Sequence, residues 1–414
     1  MHPAESWASI LTCRRALEFG GRHLFDLHFA ERNAFSADGN STHGVPNLAV
    51  IDQYHAALES SISRLTDKTH GWNLWESLPG SNRALRDAAV FDLGPSMLGA
   101  AVDTLRGTPY LVLNTRSLDL PEVARMRRQA TVSHELVHLL QFETPAYRYW
   151  PARGRIGENR DPNWWLHEAT ALALESEISP APTASFPLLW NWATSPEQSL
   201  EGDPYGTLAA PFLIYLGRRF GWDLLADVYR ATEHDVEGMR GVDLLARALG
   251  RRGDSPPDFK DCFARGYCVD AAFIGDGASV LPAEIKDVIG PRALSGRFTR
   301  YPVDGAARNL VINHLGCRYF EFTPTQASRM LKVQVAIHDD ADRLFARVEL
   351  VTVGRSGLRR RTTLSPQPDT RLAATVEFSS EDVSRAVLII SNCAYGSGWA
   401  THDGLRVAIS AQIE

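Results

Sequence analysis

Apolar positions along the first part of the chain follow the two periods of regular structure. The run LFDLHF over residues 24–29 alternates as a half-buried strand does, and the glycine-rich polar stretch SADGNSTHGVP behind it is a loop. Val50, Ile51, Tyr54, Ala57, Leu58, Ile62 and Leu65 then recur at helical spacing, which predicts a helix with one apolar face. Two short extended runs follow, AAVFDLG around 88–94 and PYLVLNT around 109–115, separated by a loop that contains Gly94, Pro95 and Gly99. They are expected to be strands of one sheet.

Residues 126–143 predict a helix that ends at Thr144-Pro145, because proline cannot continue it and biases the preceding residue away from helical geometry. Ala130, Val132, Leu136, Val137, Leu139, Leu140 and Phe142 leave it no wholly polar face, so the helix is buried. After an irregular, aromatic- and arginine-rich loop over 145–161, Asp161-Pro162 offers a cap and a first-turn proline to a second buried helix, NWWLHEATALALESEI. Further helices are expected at 205–220, 222–233 and 240–250. Beyond about residue 295 the texture changes to short β-rich runs between turn-rich spacers, which predicts an all-β sandwich of about seven or eight strands. The expected layout is an N-terminal extension over 1–20, an α/β (α+β) domain over 21–270, a linker over 271–295 and the sandwich over 296–414.

The composition supports folded domains and removes some partners. With 44% hydrophobic and 22% charged residues in 414, the chain has material for a large core. A formal net charge of -6 gives no basic excess to draw it to nucleic acid or anionic lipid. Lysine stands only at 68, 260, 286 and 332, and the arginine bias carries no functional weight. No run of eighteen apolar residues exists, and MHPAESWASILTCRRALEF lacks the layout of an export leader, so a soluble chain without a transmembrane segment is expected. Cys13, Cys262, Cys268, Cys317 and Cys393 allow bridges between 262 and 268 and between 317 and 393, or serve as small core residues. No CxxC pair or EF-hand-type loop is present.

The chemistry concentrates in the first buried helix, at HELVH. His134 and His138, four apart, project from one helical face on successive turns, so both rings can reach one zinc ion. Glu135 is offset from that face, where its carboxylate can take the proton of a water attacking a carbonyl. Two imidazoles and a carboxylate in so apolar a helix are costly to bury unless paired or ligated. A catalytic zinc has a third protein ligand and an open position. HExxHxxGxxH would need glycine at 141 and histidine at 144, where Gln141 and Thr144 stand, and the GTxxD pattern fails because Gly206-Thr207 leads to Ala210. Glu168, on the second buried helix, is the first candidate, with Glu158, Glu175 and Glu177 as competitors.

Trp165, Glu168, Ala169 and Ala171, placed after HELVH in the pattern W-x-x-E-[GA]-x-A, resemble the gluzincins, the zinc peptidase group of thermolysin and aminopeptidase N. The order of strands and helices over roughly residues 20–250 is similar as well. The spacing of 30 positions from His138 to Glu168 is longer than in those two families, GxMEN is absent, and Leu172 stands where the thermolysin pattern has an aspartate that orients a histidine. The resemblance therefore points to a more distant bacterial branch, with a zincin-like catalytic domain, Zn2+ as cofactor, a peptide or protein substrate and a secreted or extracellular location. It also implies an oxyanion-stabilising tyrosine or histidine, for which Tyr205 is the first choice, His234 the second and His167 the third. His167 points some 100° away from Glu168 around its helix, which favours packing. PYLVLN over 109–114 is either the edge strand that receives an extended substrate or an interior strand. The expected activity is zinc-dependent endopeptidase cleavage. The alternatives are a catalytically silent zincin-like protein whose sandwich binds a protein or glycan, and hydrolysis of a bond other than a peptide.

Overall fold

A computed structural model of the chain describes residues 11, 13–30, 48–67, 86–93, 98–102, 109–115, 121–144, 163–179, 186–203, 205–230, 239–252, 257–274, 279–289, 293–325, 329–339, 341–367, 371–395 and 403–414. The protein is mixed α/β with three five-stranded sheets and several helices. It divides into two compact units, Met1–Pro187 with Leu216–Met239, and Leu188–Tyr215 with Arg240–Glu414.

In the first unit the sheet order is β1-β2-β3-β5-β4, made of Cys13–Phe19, Arg22–Phe29, Arg86–Phe91, Tyr110–Asn114 and, at the far edge, β4 at Gly99–Val102. β2, β3 and β5 run parallel, and the outer strands β1 and β4 pair antiparallel to their neighbours. β5 is buried along its whole length, as expected of an interior strand covered on both faces. Residues 13–19, assigned from the sequence to an extension, pair with β2 as β1. Their pattern CRRALEF puts polar side chains outward and buries Leu17, the composition of a solvated edge.

Three helices of this unit hold the candidate site residues or brace them. Helix α1, Leu48–Thr66, buries the predicted stripe, and Tyr54 ties it to the sheet by donating to the carbonyl of Asn114 at 2.5 Å. Small residues let it approach α2, Pro121–Phe142, where Ser61 and Ser133 hydroxyls meet at 2.9 Å and Gln129 donates to the Ala57 carbonyl. α2 begins five residues before the predicted 126 and stops as predicted, with Thr144 Oγ1 donating to the Gln141 carbonyl at 2.6 Å. Arg86, fully buried, makes a two-pronged pair with Glu143 just past that end, anchoring α2 to the start of β3. Helix α3, Trp164–Ile178, packs on α2 and is apolar nearly all round. Asn163 stands at its cap, and Asp161 and Pro162 lie outside the described residues.

The second unit holds a short helix α4, Trp190–Thr194, most of α5, Ala210–Phe220, then α7, Gly241–Gly250, whereas α6, Asp223–Tyr229, belongs to the first unit. Its β-rich part has ten described strands rather than seven or eight, in two sheets whose inward residues, among them Phe320, Leu350, Leu388, Val335 and Val407, form one apolar cluster. The unit boundary departs from the predicted 271–295 linker. Residues 188–215 and 257–289 are fastened to the strands: Cys317 N–H donates to the Pro196 carbonyl, Asn313 N–H to that of Glu197, and Arg265 pairs with buried Glu349. The predicted linker itself contains the helix Ala283–Ile289. No disulfide joins the five cysteines, so the small-core-residue alternative describes Cys262, Cys268, Cys317 and Cys393, all buried. Among the described residues no helix is long and apolar enough to cross a membrane.

Candidate metal centre

His134 and His138 leave α2 on one side, and Glu168 meets them from the first turns of α3. The two Nε2 atoms are 3.1 Å apart, and the Glu168 oxygens lie 3.4 Å from His134 Nε2 and 3.5 Å from His138 Nε2. The two contacts use different oxygens of Glu168, one facing each ring, and one ligand atom from each of the three residues lies within 4.8 Å of the others, so the three could hold a metal ion.

The hydrogen-bond network assigns the ring tautomers. Gln141, fully buried, can place its amide only one way, because its Nε2 must face the carbonyl of His167, at 3.2 Å, which is an acceptor and nothing else. Its Oε1 therefore accepts from His138 Nδ1 at 2.8 Å. On the other ring, His134 Nδ1 lies 3.4 Å from a Glu175 oxygen, again an acceptor. Both rings thus carry hydrogen on Nδ1 and turn their Nε2 lone pairs toward each other and toward the Glu168 carboxylate. A proton or a cation must stand among those three groups, and the donor set of two imidazoles and a carboxylate suits zinc.

Charge in the metal-free site follows the same geometry. Burial alone would lower the pKa of His134, but hydrogen bonds to Glu168 and Glu175 outweigh it and raise the pKa well above 6.5. Burial would raise Glu168, and the positive field of His138 and hydrogen bonds from both histidines instead hold its carboxyl far below the usual range. His167 behaves oppositely: burial and the nearby His138 push it down to about 3, and its ring sits between Trp164 and Tyr229 at centroid distances of 5.8 and 5.7 Å. It is a neutral core histidine.

Glu135 turns toward the sheet, where its Oε2 accepts the backbone N–H of Ala101 in β4 at 2.7 Å. The edge strand is therefore Gly99–Val102, read from the sequence as part of a loop, and not 109–114, which is interior. Gly99 explains how β4 comes so close to α2. A Cβ there would lie 2.7 Å from Thr131 Cγ2 and 3.1 Å from the Val112 carbonyl oxygen.

The remaining candidates fall elsewhere. Glu175 sits on the far nitrogen of His134 and positions that ring, and Glu177 pairs with Arg218 at 2.6 Å. Tyr205 is 71% exposed and belongs to the second unit, whereas His134 and His138 belong to the first. Glu158 and His234 lie outside the described residues. The sequence reading missed Gln141 and the role of Glu175. Signals for both existed: Gln141 follows His138 by three, and Glu175 follows Glu168 by seven, which returns to nearly the same helical face. A second group that could hold an ion, Asp26, His28 and Asp87, has its charges paired internally: Asp26 with Arg14 and His23, and Asp87 with His28 at 2.8 Å.

No protein-family model matches the chain, and no curated protein matches it. Among solved structures it is similar to the pre-peptidase C-terminal domain of collagenase from Bacillus anthracis, at 11% identity over 30% of this chain and 98% of that one, with a TM-score of 0.18. PliG from Salmonella Typhimurium, a periplasmic inhibitor of g-type lysozyme, aligns at 15% identity over 28% of this chain and 96% of that one, TM-score 0.19. The glucuronidase BtGH115A aligns over 70% of this chain and 41% of that one, at 8% identity and TM-score 0.16. At these scores the likenesses carry no argument about fold or activity.

Proposed function

We propose that this chain is a zinc-dependent metalloendopeptidase with a zincin-like first unit and a β-sandwich accessory part. The observation that carries the reading is the convergence of His134, His138 and Glu168, with both histidine tautomers set so that Nε2 faces the Glu168 carboxylate. His134, His138 and Glu168 would hold the ion. When bound, zinc would polarise the carbonyl under attack and acidify the attacking water.

The other steps belong to the protein. Glu135 accepts the proton of the water as its oxygen bonds to the carbonyl carbon, then delivers that proton to the leaving amine as the C–N bond breaks. The Ala101 N–H fixes the carboxylate that does this. In an antiparallel ladder alternate residues face the partner strand. Leu98 faces β5, since its carbonyl accepts from Asn114 N–H, so Gly99 and Ala101 face outward, and with the Ala101 N–H taken by Glu135 the Gly99 backbone and the Ala101 carbonyl are offered to an extended chain. That favours a peptide substrate over a compact small molecule. Tyr205 as oxyanion donor and a secreted location rest on the resemblance to the gluzincins.

The test is cleavage of unfolded casein by wild type and Glu135→Gln, each with and without a zinc chelator. Chelator-sensitive cleavage that Glu135→Gln abolishes supports the reading, and a zinc-loaded wild type inert toward peptides overturns it.

A further inference from the structure

Three buried groups lie behind His138, and none of them touches the ion site directly. Gln141 Oε1 takes the hydrogen on His138 Nδ1, and its amide nitrogen donates to the His167 carbonyl and, at 3.1 Å, to the hydroxyl of Tyr229. Tyr229, fully buried at the end of α6, stands 3.2 Å from Thr170 Oγ1 and 3.4 Å from the Leu166 carbonyl, to either of which its own hydrogen can go. Leu166 and Thr170 flank Glu168 by two residues on either side.

From this we infer that Gln141 and Tyr229 are positioning residues for the metal, acting through His138, and that α6 thereby sets how tightly the site binds its ion. The inference rests on the metal reading above. One hydroxyl bonds to the side chain that fixes a ligand of α2 and to the helix segment that carries the ligand of α3, so it holds the two ligand-bearing helices in register. Without it, a Gln141 N–H loses its partner in a dry interior and the amide is free to rotate away from His138. Groups that orient a ligating histidine from its far nitrogen are typically worth about 10–100-fold in metal affinity.

The experiment measures zinc dissociation constants by competition with a chromophoric chelator, for wild type, Gln141→Met, Gln141→Glu and Tyr229→Phe. The melting temperature of each chelated protein serves as the control for folding. Gln141→Met keeps the volume and removes every hydrogen bond, and should weaken binding about 10–100-fold. Gln141→Glu retains an acceptor for His138 Nδ1 but loses the amide that donates to the His167 carbonyl, and should bind between wild type and Gln141→Met. Tyr229→Phe, which removes one oxygen, should weaken binding about 10-fold and decides the matter alone if the methionine variant does not fold. A zinc-binding wild type whose Gln141→Met and Tyr229→Phe forms bind equally well overturns the inference and leaves the metal reading standing. So does equal weakening in Gln141→Met and Gln141→Glu, which would point to packing. A wild type that binds no zinc overturns the metal reading itself.

Discussion

Gly99→Ala is the sharpest single perturbation of the proposed catalytic arrangement, because it leaves every proposed zinc ligand untouched. The new Cβ would sit 2.7 Å from Thr131 Cγ2, whereas ordinary van der Waals contact begins near 3.4 Å. The difference, 3.4 less 2.7, requires a shift of about 0.7 Å, and the Val112 carbonyl at 3.1 Å blocks the route deeper into the sheet. β4 must therefore move off α2. A 0.7 Å shift along the 2.7 Å bond from Ala101 N–H to Glu135 would stretch it to about 3.4 Å, beyond the range of a good hydrogen bond. Overpacking of this kind costs about 1–3 kcal/mol of stability. Misplacing a catalytic group by a fraction of an ångström should lower kcat/KM by about 10- to 100-fold. Casein cleavage, zinc content and urea denaturation measure the three quantities, and zinc content should not change. Thr131→Ser removes the methyl that the new Cβ meets, so the double variant should recover part of the lost stability, with a coupling of about 0.5–3 kcal/mol. Wild-type activity and stability in Gly99→Ala, or strict additivity with Thr131→Ser, would refute the proposed link between β4 and Glu135.

Arg86→Met leaves Glu143, 11% exposed, without its guanidinium, and should destabilise the protein by about 3–5 kcal/mol in urea denaturation, with zinc content per folded molecule unchanged. A loss near zero would mean that the pair does not anchor α2. In the metal-free protein Glu168, whose carboxyl is held below the ordinary 4.5, contributes stability that is present above that pH and lost as pH falls further. His134, raised above 6.5, contributes stability present below that pH and lost as pH rises through its raised value. With chelator, the melting-temperature advantage of wild type over Glu168→Gln should therefore be largest between about pH 4.5 and 6.5. Zinc should move the optimum upward, because it displaces the His134 proton, and a pH-independent difference would contradict the charge assignments. Tyr205→Phe should lower kcat about 100-fold with little change in zinc affinity if Tyr205 stabilises the oxyanion, and an unchanged kcat removes it from the mechanism.

Periodicity located α1, β2, β3, β5, α2 and α3 because each has a long or uniformly apolar pattern. It missed β1, whose polar residues are those of a solvated edge, and β4, whose four residues GAAV carry no period that differs from a turn. The site was legible to the extent that helical spacing expresses it. His134 and His138 are four apart on one helix, and Glu168 falls on the other strongly apolar helix. What orients them was hidden for two reasons. Tyr229 is 91 positions beyond His138, a proximity that only tertiary packing creates, and Glu175 stands two turns along α3, not at the four-residue offset of the thermolysin pattern. The division into two units differs from the expected boundary for a related reason. Residues 188–215 look in sequence like a continuation of the domain expected over 21–270, yet their backbone carbonyls at Pro196 and Glu197 are taken by the strand region at Cys317 and Asn313.

The most direct test of the central claim is zinc stoichiometry by elemental analysis on purified wild type and Glu168→Ala, taken with the chelator sensitivity of casein cleavage. The account predicts one zinc per wild-type chain, its loss in Glu168→Ala and cleavage that the chelator abolishes. A wild type that carries no zinc and cleaves nothing, or a Glu168→Ala form that keeps its full zinc content, would contradict it.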